Sequence, residues 1–233
     1  LPPDEPKIKF VDIIRSTKDL EKKKPLTDLL FGEEMPEPMI KPYGVTVDRE
    51  GRIYVSDIGK VFVFDLKNNR YDLIGDQPGT GQIKQAIGIA ATSDGRLFVT
   101  DIGAARVYVY TNWKYTAAIG ATGELGIPSS VAVDEKRGLL YITDSREHRV
   151  NVYSLNGYSR LRTLGKRGTD PGEFNFPTNV TVDAEGRVYV VDTGNFRVQV
   201  FDEQGKYLKS IGRLGDAPGS LARPKGLAID SGG

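Results

Sequence analysis

The chain of 233 residues is 39% hydrophobic and 27% charged, with a formal net charge of +1. That is enough for one sizeable core or two small ones, while the balanced charge argues against DNA or an anionic membrane as an electrostatic partner of the whole protein. Cysteine is absent, which excludes a disulfide framework, a thiolate metal centre and a cysteine nucleophile; no apolar run approaches the ~18 residues of a membrane-spanning helix.

Residues 1–40 stand apart from the rest. The opening "LPPDEPKIKF" holds neither an initiating Met nor an apolar signal core, the pattern of a trimmed or processed chain. "KIKFVDIIRS" predicts a strand from Lys7. "STKDLEKKKPLTDLLFG" predicts a short helix with Ser16 as N-cap and Asp19 at N3, limited in length by Pro25.

From residue 41 the sequence repeats itself. "KPYGVTVDREGRIYVSDIGKVFVFD" begins at Lys41, "QAIGIAATSDGRLFVTDIGAARVYVYT" at Gln85, "IPSSVAVDEKRGLLYITDSREHRVNVYS" at Ile127 and "FPTNVTVDAEGRVYVVDTGNFRVQVFD" at Phe176; a fifth copy, "RPKGLAIDSGG", starts at Arg223. The units span 41–76, 85–120, 127–165, 176–212 and, in part, 223–233. Each reads as four short strands of period 2, with a two-residue turn such as Glu50-Gly51 after the first strand. The aspartates that end the second strand, Asp57, Asp101, Asp144 and Asp192, are 44, 43 and 48 residues apart. Four strands in a period of ~40–45 residues mark a blade of a β-propeller, an all-β fold of four-stranded antiparallel blades. Val61, Val63, Val107, Val109, Val150, Val152, Val198 and Val200 form one face of the third strands, as suits blades packed between neighbours. The predicted N-terminal strand is a candidate closing element for such a ring.

These units resemble the NHL repeat: Pro-x-Gly, then "VAVD", "GxIYVxD", "NxRVQVF" and a Gly-rich linker. The resemblance covers roughly residues 41 to 233. The fourth unit matches nearly throughout, at Asp192, Asn195, Arg197, Val198, Gln199, Val200 and Phe201. The Gly before the first strand is replaced by Ser130 and Asn179 in the third and fourth units, and the first unit is two residues shorter at its corner. The resemblance implies six blades in an intact ring, so the chain is expected to break off within its fifth. Its likeness to bacterial extracytoplasmic repeat proteins implies an envelope location, with a lipid anchor upstream.

Asp192-Thr193-Gly194 is the tripeptide in which aspartic proteases carry a catalytic carboxylate. Here it is one spelling of a repeated corner, and a protease dyad needs two carboxylates at ~3 Å, closer than equivalent positions on separate blades allow. Arginine follows the corner aspartate by five residues in three units. Structural pairs are therefore expected between Asp101 and Arg106, Asp144 and Arg149, and Asp192 and Arg197. His148 is the single histidine, which excludes the three-histidine zinc centre that amidating lyases of this propeller class use. With Ser145 nearby a triad is formally open, but an exposed loop histidine is the expected role. Asn179-Val180-Thr181 is a glycosylation sequon on a predicted inner strand and is read as chance. "GDQPGTGQ" at Gly75 lacks the Lys-Ser/Thr of a phosphate loop and is read as a linker. Arg146, Arg149, Arg160, Arg162, Lys166 and Arg167 form a basic stretch, but alternation along a hairpin points such residues to opposite faces, and ordinary solvated surface is expected.

The functional expectation is a non-enzymatic scaffold binding a protein or small ligand on the propeller face, with no cofactor and no metal. Tyr43, Arg146, His148, Asn179, Asn195 and Lys225 are the candidate binding residues around the funnel. A metal-dependent hydrolase or lyase using the funnel, which would need carboxylates and amides from at least three blades, and RNA binding through the basic stretch are the alternatives.

Overall fold

The computed structural model describes residues 13–20, 37–215 and 217–229. Sixteen strands form four separate antiparallel sheets of four. Blade 1 comprises β1 (Val45–Val47), β2 (Ile53–Asp57), β3 (Lys60–Asp65) and β4 (Arg70–Ile74). Blade 2 comprises β5 (Ala86–Ala91), β6 (Arg96–Asp101), β7 (Arg106–Thr111) and β8 (Lys114–Ile119). Blade 3 holds β9 (Pro128–Asp134), β10 (Leu139–Asp144), β11 (Arg149–Ser154) and β12 (Arg160–Leu164), and blade 4 holds β13 (Pro177–Val182), β14 (Val188–Asp192), β15 (Arg197–Phe201) and β16 (Tyr207–Ile211). In each sheet the strands lie in chain order. The β-propeller read from the period is the fold.

The core lies between blades, because each blade is apolar on both faces. Val61, Val63 and Ile74 of blade 1 pack against Leu97, Val99 and Tyr110 of blade 2. Val107 and Val109 meet Leu140 and Ile142 of blade 3. Val150 and Val152 meet Val188, Val190 and Phe201 of blade 4. The alternating valines of blades 1 to 3 thus face the following blade. Phe62 and Phe64, on the opposite face of blade 1, are covered by Ile14 and Met39.

In the N-terminal region, Ser16 and Pro38 form an isolated bridge and Thr17–Leu20 is a 3-10 helix. The Asp19 carboxylate accepts from the backbone N–H of Arg15 at 2.6 Å and of Ser16 at 3.1 Å, the reach-back half of a capping box. The start of the expected strand at Lys7 and the stop at Pro25 lie outside the described residues, as does the end of the fifth unit. Residues 223–229 carry no strand.

The first hairpin of the blade differs from the expected two-residue turn. Asp48 N–H donates to Arg52 O at 3.1 Å and Gly51 N–H to Asp48 O at 3.1 Å, which leaves three residues in the loop. Gly51 takes φ +82°, the left-handed position that such a three-residue loop needs and that glycine fills without strain. The same spacing puts Arg52 beside Asp48 (2.6 Å) and Arg187 beside Asp183 (2.5 Å). In blades 1 and 4 an Asp–Arg pair therefore sits at the hairpin end, four residues apart, written in the sequence as D-x-x-G-R.

Candidate functional site

The four inner strands, β1, β5, β9 and β13, surround a channel of about 800 Å³, and residues 225–229 of the fifth unit line it as well. Glycine allows the inner strands to approach. A β-carbon on Gly44 would lie 2.5 Å from Ile87 O, and one on Gly88 would lie 2.6 Å from Ser130 Cα. The Ser56 hydroxyl completes the first contact by donating to Ile87 O at 2.6 Å. Of the candidate binding residues, Tyr43, Asn179 and Lys225 line this channel. Among the described residues, its lining contains no Asp, Glu or His, and no cluster suited to a metal ion occurs anywhere among them.

One mouth of the channel is ringed by the corners between second and third strands and by the segments leading into each blade. The corner aspartates hold these together. Asp57 accepts from the N–H of Ile40 (2.6 Å) and Lys41 (2.7 Å), and Asp144 from Gly126 (2.8 Å) and Ile127 (2.9 Å). Asp101 accepts from Lys84 (2.6 Å) and Gln85 (3.1 Å) and also from Gly103 (2.8 Å) and Ala104 (3.0 Å) in its own corner. Asp192 accepts from Asn175 N–H at 2.7 Å. All four carboxylates are buried, and charge-assisted bonds to backbone N–H are what make that burial tolerable.

Two of the three expected Asp–Arg pairs are corrected by this arrangement. The register does set Asp101 opposite Arg106, Asp144 opposite Arg149 and Asp192 opposite Arg197. Only Arg197 closes the pair, its Nε 2.9 Å from Asp192 Oδ2. In blade 2 the backbone already occupies the Asp101 acceptor positions, and Arg106 donates to the Thr122 hydroxyl at 3.3 Å. In blade 3, Arg149 turns to Glu124 O at 3.5 Å. Blade 4 has a fuller network, since Asn195 Nδ2 (2.8 Å) and Gln199 Nε2 (3.1 Å) also donate to Asp192 Oδ2.

The three remaining candidates, His148, Asn195 and Arg146, do not line the channel. His148 is buried, not the exposed loop residue expected. Its Nδ1 accepts from Phe176 N–H at 3.1 Å, and its ring lies 4.5 Å from that of Phe176. An acceptor Nδ1 assigns the proton of the neutral ring to Nε2. The Ser145 hydroxyl contacts Ser129 Oγ (2.8 Å) and Pro177 O, so it does not address His148 as a nucleophile would. Asn195 is held by Asp192 and by Gly168 O at 2.9 Å. Arg146 is exposed beside the corner, its Cβ close to Gly126, and does not line the channel.

The opposite end of the propeller is a belt of paired charges. Burial raises the Asp48 carboxyl, but the Arg52 guanidinium and N–H and the Tyr54 hydroxyl outweigh it and bring it below the usual range. Arg96, with help from Thr92, holds Asp94 down to about 2. Burial pushes the Tyr54 phenol up to about 12. Arg137 bridges blades by reaching Glu203 at 2.8 Å as well as Asp134 at 3.1 Å, and Trp113 Nε1 donates to Tyr54 at 3.1 Å. The basic stretch does not converge: Arg162 donates to Glu203 O at 2.6 Å, Lys166 pairs with Glu173 at 3.2 Å, and Arg149 turns inward.

Residues 4–213 match the family described as SMP-30/Gluconolactonase/LRE-like region. NHL repeat-containing protein 3 of Mus musculus is 42% identical over 84 residues, which are 35% of this chain and 24% of that protein. E3 ubiquitin-protein ligase TRIM32 of Homo sapiens is 45% identical over 53 residues, 23% of this chain and 8% of the ligase. The chain thus spans about a quarter or less of these relatives. Virginiamycin B lyase of Staphylococcus aureus superposes with a TM-score of 0.62 at 15% identity, covering 84% of this chain and 64% of the lyase, a likeness of fold alone. The interblade core, the repeated corner and these matches lead to one assignment: the chain belongs to the SMP-30/gluconolactonase/LRE-like family and is an NHL-type β-propeller.

Proposed function

We propose that this propeller is a non-catalytic scaffold that binds a protein or small ligand at the corner-lined mouth of its channel. One observation carries the reading: the groups that could do chemistry are already committed to structure. The four corner carboxylates bind backbone N–H, Ser145 donates to Pro177 O, and His148 Nδ1 accepts from Phe176. What faces the channel is small, apolar or neutral, apart from Lys225 and the Tyr43 phenol. A general acid and base in reach of one substrate position are missing from that lining.

The family's description includes gluconolactonase and a solved neighbour is a lyase, so enzymatic turnover is the alternative to test. The purified chain is assayed against lactones and esters, with and without added magnesium, calcium or zinc. The expected result is hydrolysis no faster than buffer. Turnover that survives purification and is lost in Lys225→Met would overturn the proposal.

A further inference from the structure

The near-zero net charge hides a group of exposed cations around one mouth of the channel. At the hairpin end five arginines are answered, Arg52 by Asp48, Arg70 by Asp65, Arg96 by Asp94, Arg137 by Asp134 and Arg187 by Asp183, while Arg49 and Lys136 are exposed there. At the corner end the four corner aspartates are buried under backbone N–H, Glu147 is exposed, and several cations are left over. Lys41, Lys84, Arg146, Arg223 and Lys225 are exposed there, and none is in an ion pair among the described residues.

Their placement follows from the repeat. The N–H groups of Lys41 and Lys84 are the ones that Asp57 and Asp101 hold. Arg146 stands two residues after Asp144, over Gly126. Arg223 and Lys225 flank Pro224, whose carbonyl accepts from Thr193 Oγ1 at 2.7 Å, and Lys225 lines the channel beside the inner strands. The first, second, third and fifth repeats thus set positive charge around one mouth, with no contiguous basic run in the sequence. Beside these cations, Ile40 is 71% and Ile58 39% exposed.

We infer that this rim docks an acidic polypeptide segment carrying apolar side chains. The unpaired cations supply charge complementarity, which sets orientation and association rate. The exposed isoleucines favour a peptide over a polynucleotide, because an aliphatic side chain can be covered by another but gives a base no ring to stack on. The inference rests on the scaffold reading and names its ligand class. The two fail separately, since turnover of a lactone sinks the scaffold, whereas absence of peptide binding sinks only the ligand class.

The test is fluorescence anisotropy with a labelled peptide alternating Glu and Leu, against wild type and against the combined variant Lys84→Glu, Arg146→Glu, Lys225→Glu. All three sites are exposed, so the fold should survive, and circular dichroism checks this. The expected results are binding in dilute buffer that weakens severalfold as salt rises through ~0.15 M, where the Debye length is about 8 Å, and a loss of about tenfold or more in the variant. Lys136→Glu, exposed at the hairpin end, leaves binding unchanged. Lack of binding in dilute buffer, undiminished binding by the triple variant, or tighter binding of a single-stranded homopolymeric RNA than of the peptide each overturns the inference.

Discussion

Replacing Asp101 by Asn and, separately, Arg106 by Ala distinguishes a backbone clasp from an ion pair. Asn at position 101 keeps one acceptor oxygen for Gln85, Gly103 and Ala104, which now share Asp101 Oδ1. Its amide nitrogen replaces the oxygen that takes the 2.6 Å bond from Lys84 N–H, so two donors face each other. A charge-assisted bond contributes about 1.5–3 kcal/mol, and weakening the three at the other oxygen by loss of charge adds to this. The expected cost is about 3 kcal/mol. Arg106 gives up only a 3.3 Å bond to an exposed threonine, and its removal should cost less than about 1 kcal/mol. Urea unfolding at neutral pH measures both, followed by circular dichroism and by the fluorescence of Trp113, the single tryptophan. With a slope of ~3 kcal/mol/M, the Asn variant should lose about 1 M in midpoint and the Ala variant a fraction of that. Equal losses from the two variants would refute the clasp and restore the ion pair.

Three other outcomes follow from the same geometry. Asn151 occupies in blade 3 the place of Gln199 in blade 4, but its Nδ2 is buried without a partner, as is Arg149 Nε; Asn151→Gln should reach Glu124 O as Gln199 reaches Glu173 O (2.6 Å) and raise stability by about 1 kcal/mol in the same urea assay. Asp94 is held down to about 2, first by Arg96, so its share of stability is complete above its ordinary value near 3.8 and is lost as pH falls toward 2. Because its side chain is 54% exposed, that share is under about 1 kcal/mol, and Arg96→Gln should flatten this part of an acid titration of thermal midpoint. Gly88→Ala should cost about 1–3 kcal/mol, since its β-carbon meets Ser130 Cα at 2.6 Å; a midpoint unchanged from wild type would mean that the inner strands separate freely.

The blades were legible in the sequence because strands and turns write themselves locally. Alternating valines marked the faces, and glycine marked the left-handed turn positions. The corner aspartates were legible as a repeat, but their partners were not. Backbone N–H groups belong to every residue type, so the segment that Asp101 binds, Lys84-Gln85, carries no signal that it is bound. Arginine five residues on was the visible alternative, and the register does bring it opposite. Only blade 4 leaves an oxygen free for it. His148 was misread for a related reason. Its left-handed backbone, φ +53°, belongs to the last residue of the corner, where Ala105 and Phe196 also stand at +52° and +56°, and that turn swings the ring inward onto the next blade. The group of rim cations was invisible because they come from separate repeats and the carboxylates of the chain cancel them in any sum.

The corner clasp joins an aspartate to a segment only 16 to 18 residues before it. Both halves therefore lie within one repeat and the few residues that lead into it. A stretch of sequence copied whole carries its own clasp with it and needs no matching change in its neighbours to close. What neighbours must supply is only an apolar face and a tolerable inner-strand contact, and Ser130 and Asn179 in place of glycine mark how loosely the second condition is held. Growth of such a protein by duplication of single blades is thus built into the chemistry of one buried carboxylate.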